Sequence, residues 1–185
     1  VTKWHAVVPI KPVPERKTRL QGCLTSKEIE TLTERMLRHV LDVAARVEAI
    51  GAVTVLGSQR PCWWHGRWIA DSGPGLNAAL AAAALAVPDR LVIVHADLPA
   101  LQPDDLAALL AAAESGAALA PDRRGTGTNA IALRDARNFA FVFGSDSFAR
   151  YCATLPGCGV VRRAGLGLDI DLPDDLALAV SLSHL

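Results

Sequence analysis

The spacing of apolar and polar residues changes several times along the chain, and each change marks an element. His5 to Ile10 (HAVVPI) is a short apolar run that predicts a first strand. A loop rich in proline and basic residues follows, from Lys11 to Arg19. Apolar positions then recur every three or four residues at Ile29, Leu32, Met36, Val40, Val43 and Val47, which predicts a long amphipathic helix. Thr25 and Glu28 have capping-box spacing at its start, and Gly51 is expected to end it. Ala52 to Leu56 predicts the next strand, whereas residues 57–67 (GSQRPCWWHGR) have no period and predict an irregular loop. The motif Asp71-Ser-Gly-Pro-Gly-Leu-Asn77 leads into an alanine-rich helix over Leu76 to Val87, read as buried. Leu91 to His95 (LVIVH) is apolar throughout, as expected of a central strand.

Pro103 opens a helix reaching about Glu114, with Asp104 and Asp105 in its acid-favouring first turn. Ala117 to Ala120 and Ala130 to Leu133 read as short strands flanking a glycine-rich loop, and Phe139 to Phe143 as another strand. Helices are expected near Ser147 and from Pro173 to Leu182. Strands alternating with helices predict an α/β fold with a mostly parallel sheet. No repeat or linker interrupts the pattern, so residues 1–185 are expected to form a single domain.

Lys plus Arg and Asp plus Glu both number 19, so no basic excess exists to hold a nucleic-acid backbone. The uncharged run over Leu76 to Val87 is far shorter than the ~20 residues that span a bilayer. Lys3, Trp4 and His5 break any apolar stretch of the signal-peptide kind. Cys23, Cys62, Cys152 and Cys158 make no CxxC pair and have no histidine at zinc spacing, so reduced structural thiols and a cytoplasmic setting are expected.

Asp97 follows the strand VIVH, where open α/β sheets place ligand groups. Asp169-Ile-Asp171 ends a second apolar stretch, and in a strand its two carboxylates would share a face. Three such carboxylates suit a hard divalent cation with positions left for phosphate oxygens, although turn or cap roles explain each one equally simply. Arg123-Arg-Gly-Thr-Gly-Thr-Asn129 can bring backbone close to a phosphate, with Thr126, Thr128 and Asn129 as neutral donors and two arginines for charge, or serve only as a flexible hairpin tip. Gly144-Ser-Asp-Ser147 precedes a helix and offers either an anion site or a plain N-cap. Lys11, Lys17 and Arg19 follow the first strand without a Walker A or GxGxxG pattern, and suit either a triphosphate or a plain solvated basic loop. His39 and His95 read as structural, and Trp63 and Trp64 fit a lid or an interface.

Taken in order, VVPIKPVPERKTRL, GLNAAL, HADLPAL, APDRRGTGTNAIAL, FGSDSF and LDIDLPDDL resemble the 2-phospho-L-lactate guanylyltransferase family of coenzyme F-420 biosynthesis. The resemblance implies a three-layer αβα nucleotidyltransferase fold with a twisted, mostly parallel mixed sheet of seven strands. It implies transfer of GMP from GTP to 2-phospholactate, phosphoenolpyruvate or 3-phosphoglycerate, with release of pyrophosphate. It further implies Mg²⁺ on Asp97, Asp169 and Asp171. Pro9, Lys11, Lys17, Asp71, Gly75 and Asn77 would lie toward the nucleotide, with Lys11, Lys17 and Arg19 neutralising charge in catalysis. Thr128, Gly144 and Ser147 would contact the phosphorylated acid. The chain departs from the family pattern at Arg16 and Tyr151, where a small residue and a histidine are usual. Expected partners are GTP and the small acid, with no nucleic acid or membrane and with a homodimer left open. A molybdopterin or sugar phosphate as acceptor, or an inactive nucleotide-binding protein, are the competing readings.

Overall fold

A computed structural model describes residues 2–12, 17–71, 73, 75–87 and 89–182. Among the described residues seven strands form one sheet in the order β3-β2-β1-β4-β6-β5-β7. They are β1 (Trp4–Pro9), β2 (Ile50–Gly57), β3 (Arg67–Ala70), β4 (Leu91–Val94), β5 (Ala117–Pro121), β6 (Thr128–Leu133) and β7 (Gly159–Val160). β1 pairs in parallel with β2 and β4, β2 with β3, and β5 with β7, while β6 runs antiparallel between β4 and β5. The carboxyl ends of β1 to β5 and the start of β6 therefore share one edge of the sheet.

Alternation along the strands sends side chains to two layers. Ala6, Val8, Val55, Val92 and Val94 pack against α1 (Ser26–Arg46) and α3 (Pro103–Ala112). Val7, Leu56, Leu91 and Ile93 pack against α2 (Leu76–Ala86) and Tyr151 of α4 (Ser147–Thr154). A short α5 (Ala164–Gly167) adds Leu166 to the first layer. A smaller cluster joins Leu20, Ile29, Met36, Leu168 and Ile170 to Ala179 of α6 (Pro173–Ser181).

The Thr25–Glu28 capping box forms as read: Glu28 N–H donates to Thr25 Oγ1 at 3.3 Å and Thr25 N–H to Glu28 Oε2 at 2.8 Å. Several boundaries differ. α1 ends at Arg46, and Gly51 lies within β2 rather than ending the helix. The segment expected to be wholly irregular runs directly into β3 at Arg67. Phe139 to Phe143 is not a strand; its aromatic rings pack on one another and on Tyr151 instead of joining the sheet. α2 is buried on one side only, with Leu85 74% exposed. Trp63 lies under the Arg38 guanidinium at 3.8 Å, which fixes it against α1. Among the described residues no helix is long and apolar enough to cross a membrane.

Candidate active site

The shared strand edge gathers the carboxylates expected from the sequence. Lys17 opens the helical turn Thr18–Leu20 in a left-handed conformation (φ 49°), and buried Leu20 anchors that turn. Its Nζ pairs with Asp97 Oδ2 and, at 2.8 Å, with Asp171 Oδ1. Asp97 lies three residues past β4, and its carbonyl accepts from Ile170 N–H at 3.2 Å. That bond holds the 168–171 segment alongside Asp97. Asn129, at the start of β6, donates from Nδ2 to Asp169 Oδ1 at 3.1 Å and to the Leu166 carbonyl at 3.0 Å.

Asp169 and Asp171 are therefore brought to Asp97, but not by a strand. Their segment is irregular, so the two carboxylates do not share a face: Asp169 is buried, whereas the Asp171 side chain is 49% exposed. Burial pushes the Asp169 carboxyl up to about 6, and the charges of Asp97 and Asp171 act the same way. At Asp97 burial also opposes charge, but the Lys17 ammonium and His95 outweigh it and hold the carboxyl below its usual range. Burial likewise works against the charge on Lys17, and the two aspartates reverse it, so the ammonium is held charged. Burial lowers His95, which packs 5.2 Å from the Phe143 ring.

Asp97 and Asp171 pair with the Lys17 ammonium, Asp169 lies behind them, and among the described residues the buried Asp97 Oδ1 has no hydrogen-bond donor. Among the described residues no group of three or more His, Cys, Asp or Glu is spaced to hold a metal unaided. Mg²⁺ is usually held by one or two carboxylates and completed by substrate phosphates and water rather than by an all-protein cage. These oxygens suit that mode.

The glycine-rich loop is already occupied by its own carboxylate. Asp122 accepts from Thr126 N–H at 2.8 Å, Thr126 Oγ1 at 3.1 Å and Gly127 N–H at 2.9 Å. Those donors, expected to face phosphate, are turned inward. Arg123 and Arg124 are also committed, both to Asp175 Oδ1, at 2.6 and 2.8 Å. Thr128 and Ser147 do meet: Ser147 Oγ donates to Thr128 Oγ1 at 3.2 Å, and both residues are buried. Gly144 takes a positive φ of 120° just before them. At the start of α4, Phe148 N–H donates to the Thr126 carbonyl at 3.2 Å, so one of the amides expected to face an anion is used in the fold.

Asn77 is engaged within the fold. Its Nδ2 donates to the Phe143 carbonyl at 3.1 Å, and its Oδ1 accepts from Phe143 N–H at 2.8 Å. Asp71 follows β3 and accepts from Gly73 N–H at 3.0 Å. Gly75, with φ 128° and open space where a Cβ would stand, caps α2 on the same edge. Pro9 ends β1, and Lys11 beyond it lies close enough to bear on His95. Arg19 is exposed and makes no ion pair among the described residues. Tyr151 is wholly buried, its hydroxyl accepting from Val142 N–H at 3.0 Å, so it does not face an acceptor. Arg16 lies outside the described residues, as do Ser72 and Pro74 of the Asp71–Asn77 motif.

Asp122 and Asp175 were missed as organising residues. Asp122 was legible, since an aspartate four and five residues before Thr126 and Gly127 can fold onto their amides. Asp175 was not, because its arginines are 51 and 52 residues away in sequence. A cavity of about 600 Å³ opens at the opposite end of the sheet, between Asp89, Ala117, Leu133 and Arg137. There Arg137 is paired with Asp135 at 2.7 Å, and none of the carboxylate cluster lines it.

Residues 4–176 match the family model described as "Guanylyl transferase CofC like". A phosphoenolpyruvate guanylyltransferase of Nocardia farcinica is 38% identical over 96% of this chain and 85% of its own. One of Roseiflexus castenholzii is 37% identical over 93% and 85%. Among solved structures, a nucleotidyl transferase of Methanothermobacter superposes with a TM-score of 0.67 at 16% identity, covering 100% of this chain and 98% of that one. A 4-diphosphocytidyl-2C-methyl-D-erythritol synthase of Anaerococcus prevotii gives 0.63 at 13% identity, covering 100% and 97%. The fold is thus that of the nucleotidyltransferases, and with a family match over nearly its whole length the chain belongs to the CofC-like guanylyl transferases.

Proposed function

We propose that the protein transfers GMP from GTP to phosphoenolpyruvate, releasing pyrophosphate, as a cytoplasmic step of coenzyme F-420 biosynthesis. The observation that carries this is the Lys17–Asp97–Asp171 cluster at the strand edge of a chain whose relatives are named phosphoenolpyruvate guanylyltransferases. Free thiols at all four cysteines fit a reducing compartment.

The acceptor phosphate has a second pKa near ~6 and is largely dianionic at neutral pH, so its attack needs no general base. An acceptor oxygen displaces pyrophosphate at the α-phosphorus of GTP. The residues must align the two and neutralise the charge that passes to the leaving group. Lys17, held charged by its two aspartates, supplies a fixed cation, and Lys11 a second one beside it. Asp97 and Asp171, with Asp169 behind them, would hold Mg²⁺ together with the phosphates. Bound there, the metal supplies Lewis-acid neutralisation of the triphosphate. Thr128 and Ser147 offer neutral hydroxyls to the acid.

A pyrophosphate-release assay with GTP and each of phosphoenolpyruvate, 3-phosphoglycerate and 2-phospholactate tests the reading. Phosphoenolpyruvate should give the highest kcat/KM, and GTP should outrun ATP. Release with none of the three acids refutes it. Asp97→Asn and Asp171→Asn should each lower kcat at least about 100-fold, the scale of losing a preorganised charge contact. Near-normal turnover of either at saturating Mg²⁺ would remove that side chain from the metal assignment.

A further inference from the structure

Arg150 and Arg162 differ from the other basic side chains around the glycine-rich loop. Arg123 and Arg124 are held by Asp175, and Arg163 lies 3.6 Å from Asp105. Arg150 and Arg162 form no ion pair among the described residues, and both are exposed. Arg150 Nη2 stands 3.5 Å from where a Cβ on Gly144 would be, and Arg162 Nη1 stands 3.8 Å from the equivalent point on Gly125. These are two glycines with positive φ, 120° and 72°, so the guanidiniums approach bare backbone.

Between them lies a closed set of contacts. Phe148 N–H bonds the Thr126 carbonyl, the Phe148 ring carries the Arg162 guanidinium at 5.3 Å, and Ser147 Oγ bonds Thr128 Oγ1. Thr128 adjoins Asn129, whose amide holds Asp169. Two uncompensated cations thus stand beside the buried hydroxyl pair, and Thr128 of that pair is one residue along the chain from the Asn129 that holds Asp169.

We infer that Arg150 and Arg162 grip the carboxylate of the acceptor acid, while its phosphate is directed toward Lys17. The inference rests on the proposed guanylyl transfer to a phosphorylated acid. Such an acid carries a carboxylate besides its phosphate, and the two anions need separate counter-charges. Arg123 and Arg124 are already held by Asp175, which leaves Arg150 and Arg162 for the carboxylate. A planar guanidinium fork matches a carboxylate in geometry as well as charge. The grip selects a phosphorylated acid over a plain phosphate monoester.

The test is steady-state kinetics of the full chain with Arg150→Gln, Arg162→Gln and the double variant, with Arg137→Gln at the far end of the sheet as control. Each single variant should raise the KM for phosphoenolpyruvate about tenfold, and the double variant more, with the KM for GTP within about twofold. Arg150→Lys should recover part of the loss. With ethyl phosphate, which lacks the carboxylate, the variants should perform no worse than the unmodified protein. An unchanged acceptor KM in the double variant, while the unmodified protein is active, overturns the grip and leaves guanylyl transfer standing. A parallel rise in both KM values with a lowered Tm overturns it too, since it marks a packing role for the Arg162–Phe148 contact. If the unmodified protein releases no pyrophosphate with any of the three acids, the functional reading falls and the grip with it.

Discussion

At Asp169 burial and the charges of Asp97 and Asp171 all favour the proton, while the Asn129 amide favours the anion. The carboxyl therefore keeps its proton to about pH 6 in the fold, against 3.8 as an ordinary value. Between those pH values the folded chain binds more protons than the unfolded one, so stability falls as pH rises through this window and is level above it. The shift of about two units amounts to roughly 3 kcal/mol at most. Asparagine at this position stays neutral and still accepts from Asn129 Nδ2. Asp169→Asn should therefore match the unmodified protein in urea unfolding at pH 4 and exceed it by up to about 3 kcal/mol at pH 8 without metal. Equal stability at both pH values would show that the carboxyl is not crowded. The aspartates themselves were legible from their motifs. Their unequal burial was not, because it comes from the bonds of Ile170 to Asp97 and of Asn129 to Asp169, across gaps that no local pattern records.

The entry into α6 joins two elements that look independent in sequence. Asp174 and Asp175 have the form of ordinary first-turn helix charges, yet the Asp175 side chain is fully buried. Its Oδ2 accepts from Asp171 N–H at 3.1 Å and Leu172 N–H at 2.8 Å, while Oδ1 takes Arg123 and Arg124 from the glycine-rich loop. Burial opposes its charge, but the two arginines and two amides hold the carboxyl below its usual range. Its contribution is thus present above the ordinary value of 3.8 and is lost as pH falls through the lower folded value. Asp175→Asn should cost about 2–4 kcal/mol near pH 7, because it breaks a buried pair. For a chain of this size that lowers Tm by roughly 5–12 °C. The gap should narrow below pH 4, and a constant gap down to pH 2 would contradict the assignment. Elements with strong periodicity, such as α1 and its capping box, were legible. β3 and β7 were not, being four and two residues long with no alternation to read. Phe139–Phe143 has strand composition, but Asn77 takes the backbone groups of Phe143 that a sheet partner would need.

Across the whole molecule, parallel strands place the loops after β1, β3, β4 and β5 on one edge, and the antiparallel β6 returns Thr128 and Asn129 to that same edge. This juxtaposition follows from strand order, which local periodicity does not encode, and it explains why motifs 154 residues apart, at Lys17 and Asp171, end in one ion pair. The edge gathers the carboxylates of Asp97, Asp169 and Asp171, and Asp97 Oδ1 has no donor among the described residues, so a cation bound there should stabilise the entire fold. A ligand that binds only the folded state at about 100 times its Kd adds roughly 2.7 kcal/mol. For a domain of this size the corresponding rise in Tm is about 5–10 °C. GTP with Mg²⁺ should produce a rise of that order, and excess EDTA should remove most of it, since the triphosphate alone would bring further negative charge to an acidic cluster. Mg²⁺ without nucleotide should give a smaller rise at pH 8 and almost none at pH 5, where Asp169 is protonated and the cluster is less negative. Differential scanning fluorimetry under these four conditions decides the matter: an EDTA-insensitive rise with GTP would mean that Lys11 and Lys17 alone hold the triphosphate and that the aspartates serve only to position Lys17.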